Sequence, residues 1–248
     1  MHHLCGFTAS QDSAAMINVA AIPDPSMRIE GNNVIVPASV NAIVAAWANG
    51  VNLDRAQLQS PSLRRILNYE ISPIAISASN PSPLPVNDKR MTPIILDPDE
   101  PLSCVAAESG AGATRQNIFV ALGPGAVEIR TGDVRSVRVT ASTTLGTFGW
   151  TNGALTFDQS LPAGRYQLVG GRFRSAGLLA WRAVFVGGIW RPGAPGFTTD
   201  ALVDPDMFRM GRMGVWGEFD HNLPPTIDFF STSADTSEVG VLDLIKIE

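Results

Sequence analysis

The sequence predicts an all-β protein, an antiparallel β-sandwich that follows an N-terminal arm with one or two short helices. Three observations predict it. From Tyr69 to the C-terminus, short apolar runs are broken by Pro and Gly at strand-and-turn spacing. Several runs alternate apolar and polar residues, the period of a strand with one wet face. No helical periodicity separates them, which excludes a parallel βαβ design and leaves a sandwich or jelly roll.

Residues 1–36 carry weak periodicity and polar, Pro-containing stretches such as Ile22-Pro23-Asp24-Pro25, the pattern of an extended arm with one short strand. From Ser39 to Gly50, Val40, Ile43, Val44 and Trp47 recur at i, i+3, i+4 and i+7, with Ser39 as a cap and Asn49-Gly50 as a stop. This spacing predicts an amphipathic helix. Ser60-Pro61 supplies an N-cap followed by Pro at the first helical position, and Leu63, Ile66 and Leu67 make a second, short helix. The predicted division is an arm over 1–68 and a sandwich over 69–248.

Pro81, Pro83, Pro85, Pro93, Pro98 and Pro101 make residues 80–101 a long connection rather than a central strand. Strands are predicted at 102–108, 116–122, 134–142, 154–158, 164–174, 178–186, 213–219, 226–231 and 239–247. Within 164–174 the large apolar residues change parity across Gly170-Gly171, as an extra residue in the ladder would cause. A β-bulge is expected there. The run from Trp181 to Val186 is apolar at nearly every position and suits a strand buried on both faces near the middle of a sheet.

Composition narrows the function. A chain of 248 residues buries roughly 70 to 75% of its unfolded surface and needs no metal or disulfide to hold a core. Only 17% of residues are charged, against about 25% in an average soluble protein. Such depletion, with Arg in place of Lys except at Lys89 and Lys246, suits surfaces that meet partners. It also suits a genome whose codons favour Arg. The charge is unevenly placed: Arg130 to Arg191 holds eight Arg against Asp133 and Asp158, a balance of +6, and Pro192 to Glu248 holds ten acids against Arg209, Arg212 and Lys246, a balance of -7. Neighbouring copies can pair these regions, the 130–191 segment can face packaged nucleic acid, or both signs can interleave and cancel within one fold.

Met1 to Ser10 lacks the cationic start and apolar run of a signal peptide, and no stretch approaches the ~18 apolar residues of a membrane span. Cys5 and Cys104 form no CxxC pattern, so neither a disulfide framework nor a zinc site is expected. A product made in a cytoplasm fits these features.

Catalytic constellations are scarce. The histidines are His2, His3 and His221, and GxSxG, HExxH and SxxK are absent. Asp204-Pro-Asp206 and Asp97-Pro-Asp99-Glu100 present hard oxygens for Ca²⁺, and Glu218 with Asp220 share a strand face as a glycosidase pair would. Asp-Pro-Asp is equally ordinary turn chemistry. Gly110-Ala-Gly112 and Gly123-Pro-Gly125 lack the GK[ST] of a phosphate loop and read as turns. The five Trp, at 47, 150, 181, 190 and 216, offer stacking platforms for sugars or bases, although Trp47 and Trp181 lie on apolar faces. No catalytic, cofactor-binding or metal-binding residue is assigned.

Ala163 to Gly171, Leu178 to Phe185, Ile189 to Gly193 and Met213 to Gly217 have Gly-framed strands, an Arg inside an apolar strand and a Trp-Arg-Pro-Gly turn. In these features the last half of the chain resembles jelly-roll virion proteins of tailless icosahedral viruses of bacteria or archaea. The resemblance implies a capsid subunit, not an enzyme, that forms trimers, pentamers or a larger shell with copies of itself and meets other virion proteins. The arm would bridge neighbours, and the length favours one roll plus an arm over two rolls. The rival expectations are a carbohydrate-binding module or receptor-binding spike, and a carboxylate glycosidase.

Overall fold

Contacts along the chain gather into two compact units of similar length, Leu4–Ala126 and Val127–Glu248, the second of which includes Met1–His3. The computed structural model describes residues 1–50, 52–71, 86–108, 114–198 and 206–248. Among the described residues 52% are strand and 3% helix, in antiparallel sheets, as an all-β sandwich requires.

The N-terminal unit comprises β1 (His3–Gln11), β2 (Ile17–Ala21), β3 (Ile29–Glu30), β4 (Asn33–Ile35), β5 (Ala42–Gly50), β6 (Leu53–Gln59), the one-turn helix α1 (Pro61–Arg64), β7 (Tyr69–Glu70), β8 (Asn87–Asp88), β9 (Ile94–Ile95), β10 (Pro101–Glu108) and β11 (Thr114–Gly123). One row of strands runs β1-β11-β5, with β8 and β9 together on the far edge of β5. A second row runs β2-β10-β6-β7, and β4 extends it beside β10. Pairing of Phe7 with Ala21 joins the rows, so all eleven strands form one hydrogen-bonded set.

The C-terminal unit comprises β12 (Val134–Ala141), β13 (Trp150–Gly153), β14 (Leu155–Phe157), β15 (Arg165–Arg174), β16 (Leu178–Val184), β17 (Gly193–Pro195), β18 (Gly217–Asp220), β19 (Thr226–Ser231) and β20 (Glu238–Lys246). One sheet is ordered β14-β12-β20-β15-β18 and the other β13-β19-β16-β17. Their inner faces meet through Phe173 of the first sheet and Trp181 and Phe229 of the second, with ring centroids 4.8 and 5.3 Å apart. Each such aromatic contributes on the order of 1.5–3 kcal/mol by leaving water.

The two strand orders coincide. With β14 and the β3–β4 hairpin set aside, and β8 and β9 counted as one edge, each unit has eight strands in chain order among the described residues. In both, one row reads first, eighth, third, sixth and the other reads second, seventh, fourth, fifth. A chain folded as one long hairpin pairs first with eighth, second with seventh, third with sixth and fourth with fifth. Wrapping that hairpin on itself lays the pairs in these two rows.

The structure corrects the expected arm and the division at residue 68. Residues 3–35 hold four strands, and β1 is buried at Leu4, Cys5 and Phe7. The helix expected over 39–50 is the strand β5, buried along its whole length and paired with β11 on one side and β8 and β9 on the other. A strand covered on both faces needs apolar residues everywhere, so its sequence matches a helical template by accident. The expected second helix is present as α1 alone. Ser60 caps it by accepting from Leu63 N at 3.2 Å, Pro61 stands in its first turn, and Leu63 is its buried residue.

Between Leu168 and Gly170 the register of β15 against β20 shifts by one residue, which is the expected bulge. Gly171 is required beside it, because a Cβ there would lie 2.9 Å from the Trp181 ring. The strand containing Trp181, β16, lies inside its sheet between β19 and β17. Among its described residues the Pro-rich connection carries the two-residue strands β8 and β9 and, at Pro101, the first residue of β10, while Pro81, Pro83 and Pro85 lie outside them.

Candidate functional site

Glu218 and Asp220 alternate with buried Gly217 and Phe219 on β18, so both carboxylates do share its wet face. Glu218 accepts from Arg165 Nη2 and Gln167 Nε2, each at 2.8 Å. Asp220 accepts from Asn222 N at 2.9 Å, the side-chain-to-backbone bond of a turn, and its Oδ1 lies 3.1 Å from His221 Nδ1. That nitrogen also accepts the Gly164 N–H at 3.3 Å. The His–Asp contact arises because His221 lies past the end of the strand, in the following turn. Around this strand is a concavity of about 220 Å³ lined by Arg165, Val186, Glu218, Phe219, Asp220 and Leu223.

The other acidic motifs do turn and capping work. Glu100 accepts from Ser62 N at 2.8 Å and from the Ser62 hydroxyl, so it serves the orphan amides at the start of α1. Asp97 pairs with Arg65 at 2.6 Å. Asp206 opens a short 3₁₀ turn and pairs with Arg209 and Arg212, whereas Asp204 lies outside the described residues. Among the described residues, no group of three or more His, Cys, Asp or Glu is placed to hold a metal ion. Gly110 and Gly112 also lie outside the described residues.

All five Trp are shielded to some degree: Trp47, Trp181 and Trp216 are buried, and Trp150 and Trp190 half-buried. Trp150 packs against the Arg182 guanidinium, 4.1 Å from its ring centroid. Arg182 is fully buried on β16 and donates to Asp228 on β19 at 3.0 Å, and Arg191 reaches the same carboxylate at 2.6 Å. The Arg inside an apolar strand is legible in the sequence, whereas its counter-ion lies 46 residues away.

These pairs interleave much of the charge that looks segregated along the sequence. Arg165, Arg182 and Arg191 of the basic segment are held by Glu218 and Asp228 of the acidic one. Cys5 and Cys104 are buried thiols with no disulfide between them; Cys5 donates to Val120 O at 3.6 Å, and burial pushes the Cys104 thiol up.

Met1–His3 pack within the C-terminal unit. His2 Nε2 lies 2.9 Å from Gly193 O and 3.1 Å from Gly193 N, and its ring meets Trp216 edge-on at 5.0 Å. His3 Nδ1 accepts from Arg191 N at 3.1 Å. Burial drives the pKa of His2 down to about 3. A larger cavity, about 440 Å³, lies where β12 and β15 begin and β20 finishes, and its polar lining includes Arg135, Gln159, Tyr166 and Lys246.

No family model matches the chain, and no curated protein does. Among solved structures, a xanthan lyase from Paenibacillus is similar over 97% of this chain at 11% identity, with a TM-score of 0.25. The match spans 25% of that enzyme's chain. A likeness at that TM-score carries no argument about fold or activity.

Proposed function

We propose that the chain is a virion structural protein, a capsid subunit that assembles with copies of itself and performs no chemistry of its own, and that each of its two units is a jelly roll. The observation that carries this reading is the strand order repeated in both units. That order is the signature of a rolled-up hairpin, an architecture shared by shell-forming and lectin proteins. A chain with two such units suits a closed shell, because three copies bring six similar sandwiches to a symmetric ring. The low charge supports the same reading, since surfaces buried between copies are depleted in Asp, Glu and Lys. Arg182 and Arg191 of the 130–191 segment are held by Asp228, so a contact with packaged nucleic acid would fall to its exposed arginines, such as Arg135 and Arg138.

Mass measurement by sedimentation, together with negative-stain imaging of the purified chain, tests the proposal. Trimers, pentamers, rings or shells are the expected result. A monomer at every concentration overturns it.

A binding-module reading is favoured by one feature, the cavity of about 440 Å³ at the end of the C-terminal unit, which is within the usual size range of ligand sites. Glycan binding abolished by Tyr166→Ala with the fold intact would move the assignment there.

A further inference from the structure

The cavity of about 440 Å³ in the C-terminal unit combines three features that together define a ligand. Its wall is aliphatic, from Val137 of β12, Leu244 of β20, and Leu161 and Pro162 of the segment that follows β14. The Tyr166 hydroxyl donates to Pro162 O at 2.7 Å and holds that segment in place. The charged lining is Asp133, Arg135 and Lys246. Asp133 and Arg135 neutralise one another in a 2.6 Å pair, whereas Lys246 has no ion-pair partner among the described residues, so the cavity keeps one uncompensated cation. A Cβ on Gly164 would lie 2.7 Å from Lys246 Cε, so the lysine stem runs over a glycine that leaves it room.

The third feature is a main-chain edge at Ser136. Strand β14 pairs with β12 from Val139 to Ala141, and Arg138 O accepts the Asp158 N–H at 3.1 Å, so the main chain of residue 138 faces that side. Antiparallel alternation turns the N–H and C=O of Ser136, two residues earlier, to the same side. No strand pairs with them there among the described residues. The Ser136 hydroxyl is committed to Asp243 at 2.6 Å, so this residue meets a ligand through its main chain.

We propose that the cavity binds a monosaccharide bearing a carboxylate, a uronic acid or a similar sugar acid. Its carboxylate pairs with Lys246, its ring hydroxyls bond the Ser136 main chain, and its C–H face rests on Leu161 and Pro162. The inference rests on the binding-module reading of this cavity and adds the charge of the ligand; it does not depend on how copies of the chain assemble. Each feature removes an alternative. One ammonium matches a single negative charge, whereas a phosphate ester carries up to about two and calls for Arg forks or backbone nests. A hydroxyl both donates and accepts, which suits an adjacent N–H and C=O, while an alkyl chain laid there strips both of water without replacing a bond. A nucleobase finds no ring to stack on, because Tyr166 is buried and already stacked on Phe219 at 5.8 Å. A peptide strand finds too short an edge, since the Val134 N–H is taken by Gly132 O at 3.1 Å and strand addition draws its affinity from a ladder of main-chain bonds.

The test is ligand-detected NMR with calorimetry on the full chain, using methyl glucuronide, methyl glucoside, a glucose phosphate and an acidic tetrapeptide as probes. The glucuronide is expected to bind about tenfold more tightly than the glucoside, the order of one hydrogen bond to a charged group. Lys246→Gln should bring the two sugars within about twofold of each other, and Lys246→Arg should keep the preference. Lys89→Gln, on the other unit, should leave binding unchanged, and all three variants should keep the wild-type circular-dichroism spectrum. A glucoside bound as tightly as the glucuronide, or a preference that survives Lys246→Gln, overturns the sugar acid while leaving a glycan site standing. Tighter binding of the phosphate or of the peptide overturns it in favour of that ligand. No binding of any probe overturns this inference and the binding-module reading together.

Discussion

In the N-terminal unit many buried side chains are small, among them Ala42, Ala45, Ala46 and Ala48 on β5 and Ala56, Ala106, Ala107 and Ala121 on other strands, beside the rings of Phe7, Trp47 and Phe119. In the C-terminal unit large rings are more numerous: Phe173, Trp181, Trp216, Phe208, Phe229 and Phe230 are all fully buried. Rings need holes. A Cβ on Gly240 would lie 2.4 Å from Phe173, and one on Gly217 would lie 2.6 Å from Phe185. The same strand order is thus completed with more alanine in one unit and more large rings in the other, although the first also buries Phe7, Trp47 and Phe119. Which strands pair determines the order, and a close-packed interior can be built from either kind of side chain.

The units also differ in what charge they bury. The C-terminal unit places Arg182 and Asp228 at the heart of its smaller sheet. The largest expected effect follows from that. Asp228→Ala leaves the Arg182 cation buried without its counter-ion, and removing one partner of a buried pair costs about 3–5 kcal/mol. Urea denaturation should register the loss, and Arg182→Met combined with Asp228→Leu should recover most of it. If Asp228→Ala unfolds at the wild-type midpoint, the buried pair does not matter to the unit.

Next in size is Gly240→Ala, which drives a methyl group into the Phe173 ring and should cost about 1–3 kcal/mol, as overpacking does. Phe173→Leu in the same chain frees the space. A double variant more stable than Gly240→Ala alone would confirm that glycine serves the ring, and an additive loss would refute it.

The pH response sharpens the comparison further. His2 is neutral in the folded protein down to about pH 3, whereas an unperturbed histidine binds a proton near 6.5. Between those values the unfolded chain holds the extra proton, so stability falls as pH falls, by roughly 1 kcal/mol per pH unit. Burial raises Glu238 in the opposite sense, to about 7 from 4.5. Its folded form holds the proton longer, so its contribution is full below pH 4.5 and is lost as pH rises through 7. Thermal melts across this range should show a shallower acid slope for His2→Phe and a flatter profile near neutrality for Glu238→Gln. The smallest effect is expected at the exposed pair of Arg138 and Asp158, where Arg138→Gln should change stability by about 0–1 kcal/mol.

Legibility in the sequence differed between the units for a physical reason. The strand predicted at 226–231 coincides with β19, and those at 102–108, 134–142 and 239–247 match β10, β12 and β20 within a residue at each end. These strands alternate or end at Gly and Pro, and both signals are local. By contrast, β1 and β5 are covered on both faces and lose their alternation, and β8 and β9 are two residues long and exist only because β5 offers them an edge. The acids at 97–100 and 206 take part in turns and caps, and Asp-Pro geometry of that kind is local too. The concavity at β18 was not legible, since its aliphatic lining comes from turns that are about 37 residues apart and meet only in the fold.

By itself the sequence determined the all-β class, the bulge before the double Gly of β15 and the Ser60 cap, since each follows from periodicity or from the backbone demands of a few adjacent residues. Only the tertiary structure decided that residues 4–126 close as a second unit with the same strand order, and that Arg182 finds Asp228. Strand pairing draws its hydrogen-bond partners from distant parts of the chain, and no short window of sequence contains both halves of such a bond.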